Sequence, residues 1–152
     1  MTQEQKSDYN KYGCMSKALR KLAERRGKLI SLEAYRERCE KFFHPRYYGA
    51  LITSTLIQVG KELGLCSWAH TFVDLERAKK IVRESSGLFV ITEKFWHGEA
   101  RCFDGPHARL VLDYQNNKWV LWNEDHEGRE ERLTDDDLFR QMPHFIAFDL
   151  ID

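Results

Sequence analysis

Three residues of this chain have the types and the order that acyl transfer by a thiol requires: Cys14, His107 and Asn123. A thiol becomes a nucleophile when a histidine takes its proton. The histidine in turn works best when an amide or carboxylate on a neighbouring strand holds its tautomer and orientation. Cys14 follows Gly13 and opens a run, CMSKALRKLAERR, that is apolar at positions 15, 18, 19, 22 and 23 and basic opposite, ending at Gly27. That spacing predicts an amphipathic helix with Cys14 at its N-terminus, where unpaired N–H groups and the helix dipole favour a thiolate. His107 and Asn123 sit at the two open ends of a predicted hairpin. Ala108, Leu110 and Leu112 mark the first strand, Gln115-Asn116-Asn117 the turn, and Trp119 to Trp122 the return strand. Asparagine tolerates positive φ, so an Asn-rich loop between apolar strands is a hairpin signal. Folding about that turn makes His107 and Asn123 neighbours, with Asn123 expected to accept the Nδ1 proton.

The elements that must position these residues are read from the same patterns. After the Cys14 helix, Ser31 caps a second helix, SLEAYRERCEKFF, and a third runs from about Tyr48 to Leu63 with Gly64 closing it. The character then changes. Cys66 to Val73 alternates like a strand, Asp74 caps a short helix LERAKKIVRE, and Leu88 to Thr92 is a continuous apolar run typical of a buried strand. Trp96 to Pro106 reads as a loop. After the hairpin come a polar turn at Glu124–Gly128, a strand from Arg129 to Leu133, a Thr134-capped helix DDDLFRQM and a last strand from His144 to Ile151. Helices followed by an antiparallel sheet make an α+β fold in a single domain spanning residues 1–152.

Composition excludes several classes. With 152 residues, 42% hydrophobic, the chain can bury a core, and no apolar run approaches the roughly 20 residues of a membrane span. The first residues, MTQEQKSDYNKYG, lack the apolar stretch of a secretory signal. The expectation is a cytoplasmic chain, or one exported by a route without a cleaved signal peptide. The four cysteines (Cys14, Cys39, Cys66, Cys102) form no C-x-x-C pair, and His44, His70, His97, His126 and His144 share no ligand spacing. No metal and no cofactor is expected. Cys39, Cys66 and Cys102 read as packing residues, and the acidic stretch from Asn123 to Asp137 as a solvated turn and a helix start. Trp119 and Trp122 fall on opposite faces of their strand, one for the core and one near the triad.

Charge is uneven although the total is zero. Residues 1–48 carry 12 Lys and Arg against 6 Asp and Glu, and residues 115–152 carry 4 against 10. The halves either attract each other or attract oppositely charged partners. The basic first helix has no aromatic nucleic-acid motif, so no nucleic acid is expected. No oligomeric state is set by the sequence.

A helical cysteine followed far downstream by a His-led hairpin is the order of the papain-like cysteine peptidases. Within them the chain resembles the bacteriocin-processing peptidase domains of ABC exporters, which cut leader peptides after a double glycine. The resemblance runs through the Cys14 helix, the LEAYRERCE segment, the STLIQVGKELGL helix, the strand at Leu88–Thr92 and the His107 hairpin. The 16-residue step from His107 to Asn123 is similar to the family's His-to-Asp spacing. It implies a papain-like α+β fold, N-terminal helices on a C-terminal antiparallel sheet, with Cys14 as nucleophile, His107 as base and Asn123 as orienting residue.

Three positions depart from the family pattern. Met15 follows the cysteine where a Gly is usual, and Asn123-Glu124 stands in place of Asp-Pro. Asp8 occupies the position of the oxyanion-hole Gln, with Asn10 the nearest alternative donor. A carboxylate repels a developing oxyanion, and losing one such donor costs about 10²–10³ in rate. Two readings follow. One is a stand-alone cysteine peptidase or amidase acting on a peptide or protein through a thioester, for which a delivered effector or toxin is one setting. The other is a papain-like module that binds a peptide or protein partner without efficient turnover.

Overall fold

The computed structural model describes residues 14–28, 53–84, 87–97, 101–123 and 130–151, with side chains apart from those at 14–16, 53–56, 72, 94–97 and 101–106. Ten elements follow in order: α1 (Cys14–Arg25), α2 (Thr53–Glu62), β1 (Cys66–Val73), α3 (Leu75–Glu84), β2 (Leu88–His97), β3 (Arg101–Gln115), β4 (Lys118–Trp122), β5 (Glu130–Thr134), α4 (Asp135–Arg140) and β6 (Pro143–Leu150). The helix expected at SLEAYRERCEKFF, the start of the helix expected from Tyr48 and the turn at Glu124–Gly128 lie outside the described residues.

One six-stranded sheet, ordered β1-β6-β2-β3-β4-β5, carries the molecule, and every pairing in it is antiparallel. Its two faces are both covered. On one, Ala18, Leu19, Leu22 and Ala23 of α1 and Val59 of α2 pack with Phe89, Ile91, Ala108, Leu110, Ile146 and Phe148. On the other, Ala78 and Val82 of α3 and Leu138 of α4 pack with Leu88, Val90, Val111, Trp119, Leu121, Phe145 and Ala147. The strands feed both faces because successive residues alternate sides. The architecture is α+β, with the N-terminal pair of helices on one face of the sheet and the later pair on the other.

The helix ends follow local rules. Gly27 and Gly64 adopt φ of 74° and 68°. In α1, Lys28 N–H reaches Ala23 and Gly27 N–H reaches Glu24; in α2, Leu65 N–H reaches Gly60 and Gly64 N–H reaches Lys61. Both are Schellman ends, which need a left-handed residue that glycine supplies without steric cost. Asp74 accepts from the Arg77 N–H at 2.8 Å to start α3, and Thr134 accepts from the Asp137 N–H at 3.1 Å to start α4. No helix among the described residues is long and apolar enough to cross a membrane.

Two expectations need correction. The turn is Asn116-Asn117 alone, with φ of 55° and 59°, and Gln115 still pairs with Lys118. Two positive φ angles make the two-residue hairpin turn whose twist matches that of the strands. The segment from Trp96 to Pro106 is also not a simple loop. Lys94 to His97 pair with Asp104 to Arg101, so β2 and β3 extend past the core as a long hairpin. Pairing skips from His107 to Asp104, and the irregularity there takes up Pro106, which has no N–H to give a ladder.

Trp119 and Trp122 do divide between the faces. Trp119 is fully buried among Tyr114 and Phe145, whereas Trp122 is half-buried on the α1 side, with Lys21 Nζ 5.8 Å from its ring centroid. Trp119 Nε1 and Lys79 Nζ each donate to Asp135 at 2.8 Å, tying the β3–β4 hairpin, α3 and α4 together. Burial works to raise the Asp135 pKa, but the hydrogen bonds from Lys79 and Trp119 outweigh it and hold the carboxyl below its ordinary 3.8. A depressed carboxylate contributes stability that is present above its unfolded pKa and is lost as pH falls through the folded value. Asp135→Asn is therefore expected to lower the melting temperature at neutral pH. Thermal scans should show the gap to wild type closing as pH drops below the ordinary carboxylate range; a gap constant with pH would refute the linkage.

Candidate active site

The site is built at one end of the sheet. His107 pairs with Thr92 of β2, and Thr92 pairs on its other side with Pro143 of β6. Asn123 directly follows β4, one residue past the Trp122–Leu110 pair. The two side chains meet: His107 Nε2 and Asn123 Oδ1 are 3.1 Å apart, and both residues are buried. An amide oxygen accepts only, so Nε2 carries the hydrogen in this arrangement. This corrects the expectation that Nδ1 would face Asn123. With Nε2 committed to the amide, Nδ1 becomes the atom for proton exchange with a nucleophile.

Behind this pair lies a polar cluster. Arg109, two residues along β3 from His107, is 0% exposed. It donates from Nη1 to Glu131 Oε1 at 2.6 Å, and from Nη2 to Thr92 Oγ1 at 3.0 Å and Gln141 Oε1 at 2.5 Å. Asn123 Nδ2 donates to the same Glu131 oxygen at 3.5 Å, and Thr92 Oγ1 lies 3.5 Å from the His107 carbonyl, to which it donates. Five segments thus converge: β2, β3, the end of β4, β5 and the residue after α4. The sequence reading missed all four of these partners. The available signal was a charge inside an apolar strand, ARLVL, and a second inside EERL.

Described contacts also give the direction of α1. Arg26, just past its end, donates to the Ile151 carbonyl at 2.9 Å, and Lys28 donates to the Gly64 carbonyl. Ile151 follows β6 at the end of the sheet where β2 begins, opposite to the end that holds His107. The helix packs chiefly on β3, and its 12 residues advance about 18 Å. It lies on the sheet face lined by Ala108 and Leu110, with its C-terminal end anchored at the end of the sheet away from His107. No acidic residue stands in its first turn to oppose a thiolate. The Cys14 side chain, Asp8 and Asn10 lie outside the described residues.

Cys66 is a useful contrast. It is buried beneath α2, and that burial pushes its thiol pKa up; nearby Lys61 pulls the other way and Asp149 adds to the rise. Buried thiols of this kind are poor nucleophiles. Cys39 and Cys102 have no described side chains.

No protein-family model matches the chain, and no curated protein sequence matches it. Solved structures do. The peptidase domain of Streptococcus ComA, a bifunctional ABC transporter involved in a quorum-sensing pathway, matches with a TM-score of 0.61 at 14% identity. That match covers 91% of this chain and 93% of the ComA domain. The fold is that of the bacteriocin-processing, papain-like peptidase domains. A protein from Bacillus anthracis described as a C39-like peptidase matches with a TM-score of 0.57 at 10% identity, covering 92% and 90% of the two chains. Both likenesses span nearly whole chains, so the papain-like fold includes the helices and the sheet together.

Proposed function

We propose that this chain is a cysteine-dependent acyl-transfer enzyme, hydrolysing a peptide, isopeptide or amide bond, with Cys14 as nucleophile, His107 as acid and base, and Asn123 as the residue that orients the histidine. The observation that carries it is the buried Nε2–Oδ1 pair of His107 and Asn123, on a fold shared with peptidase domains. Cys14 is assigned as the third member because it opens α1, the helix packed on the strand that carries His107.

In this mechanism Nδ1 of His107 takes the Cys14 proton, and the thiolate attacks the carbonyl carbon. The tetrahedral intermediate collapses as the imidazolium returns its proton to the departing amine. This leaves a thioester on Cys14 and a neutral histidine. His107 then deprotonates water, which attacks the thioester carbon, and the thiolate leaves. Asn123 accepts from Nε2 throughout and stabilises the imidazolium. A second amine in place of water would make the reaction a transfer.

The competing reading, a peptide-binding module, rests on Asp8 at the family's oxyanion-donor position. One titration separates the two. Native protein is treated with a limiting alkylator at about pH 5, where an ordinary thiol is almost wholly protonated, and the label is located by peptide mass spectrometry. Rapid, selective modification of Cys14 ahead of Cys39, Cys66 and Cys102 is expected of a poised nucleophile. Slow label spread over all four cysteines overturns the enzyme reading in favour of the module.

A further inference from the structure

We infer that Glu131, held by Arg109, is a positioning residue for the histidine: it fixes which way the Asn123 amide faces and so selects the His107 tautomer that can act as base. The inference rests on the proposed role of His107. An asparagine side chain has an acceptor on one side and a donor on the other, and a half-turn about its last bond exchanges them. With Oδ1 toward His107, the ring must hold its proton on Nε2. With Nδ2 toward His107, Nε2 would have to accept, and the proton would sit on Nδ1, where it blocks base catalysis.

Glu131 decides between these. Its carboxylate accepts and cannot donate, and its Oε1 lies 3.5 Å from Asn123 Nδ2. Turning the amide over would set Oδ1 against that oxygen, two acceptors in a buried site with no proton between them. The contact is long, so its effect is on orientation more than on strength. Glu131 is itself kept in place by Arg109 at 2.6 Å, and Arg109 is fixed by Thr92 and Gln141.

Two readouts on the full chain test this. In ¹⁵N NMR of the neutral imidazole, wild-type His107 is expected to carry its proton on Nε2. Glu131→Gln, whose amide can meet Asn123 either way round, should show a mixture with Nδ1–H. The acid limb of Cys14 alkylation should move up by about one pH unit in that variant, a reaction about three- to fourfold slower on the limb once the greater nucleophilicity of the more basic thiolate is counted. Adding Glu131→Gln to Asn123→Ala should cause no further change, since the effect passes through Asn123.

If Glu131→Gln does not fold, the double variant Arg109→Met/Glu131→Leu removes both charges together and carries the same expectation. An Nε2–H tautomer and an acid limb unchanged in the folded variant overturn the inference, as does a full Glu131→Gln effect without Asn123. Unselective labelling of wild-type Cys14 would instead defeat the enzyme reading, and the tautomer signal would still report on Glu131.

Discussion

His107→Ala is expected to slow alkylation of Cys14 at pH 5 by about thirtyfold while leaving the rate above pH 9 nearly as fast as wild type or faster. The estimate comes from two opposed effects. Paired with an imidazolium, a cysteine at a helix start ionises near pH 4, whereas an ordinary thiol ionises near 8.5, so at pH 5 the variant holds roughly 10³·⁵-fold less thiolate. A more basic thiolate is the better nucleophile, by about 0.4–0.5 log units per unit of pKa, which returns about 10² of that loss. Near neutral pH the two effects largely cancel, which makes the acid limb the informative region for this variant. Turnover of an amide substrate should fall further, by about 10²–10⁴, because the leaving amine loses its proton donor as well. Coincident acid limbs for wild type and His107→Ala would show that the histidine does not reach the thiol.

Much of this arrangement can be read from residue patterns, and what cannot has a definite cause. The α1 stripe is legible because Ala18, Leu19, Leu22 and Ala23 recur at helical spacing, and all four are buried. The hairpin is legible because Asn116 and Asn117 supply the two positive φ angles its turn demands. The extension of β2 and β3 to His97 and Arg101 is not. Its sequence carries loop signals at Gly105 and Pro106, where the ladder does skip, and pairing resumes beyond them from Asp104 to Arg101. Arg109 is instructive. Alternation places it on the opposite face from Ala108 and Leu110, and a charge there reads as a solvated side. Whether that face is open depends on α3 and α4, which come from elsewhere in the chain and close it. The same reasoning hid Glu131, the alternate neighbour of Leu133. The choice of Nε2 over Nδ1 was also beyond the pattern, because it depends on how His107 and Asn123 side chains approach and not on their spacing.

Glu131→Leu with Arg109 left in place is expected to cost about 3–5 kcal/mol, because a guanidinium is then buried without its counter-charge. Against the 5–15 kcal/mol that holds a typical domain folded, this is about a fifth of the total or more. For a chain of this length it corresponds to a melting point roughly 10 °C lower. Restoring neutrality should reverse most of the loss. Arg109→Met/Glu131→Leu replaces the pair by apolar groups of similar volume, and such exchanges are often neutral or stabilising. Recovery will be incomplete, since Gln141 Oε1 loses its donor and a buried acceptor left unpaired costs about 1–3 kcal/mol. Thr92 keeps its contact to the His107 carbonyl and should suffer less. Urea unfolding of wild type, the single and the double variant measures all of this in one series. A double variant as unstable as the single one would mean that the hydrogen bonds from Arg109, and not its charge balance, hold this end of the sheet. If the double variant regains stability but its His107 tautomer stays mixed, folding and positioning separate cleanly. The Arg109–Glu131 pair would then be retained for the orientation of Asn123 and not for stability, since an apolar pair supports the fold as well.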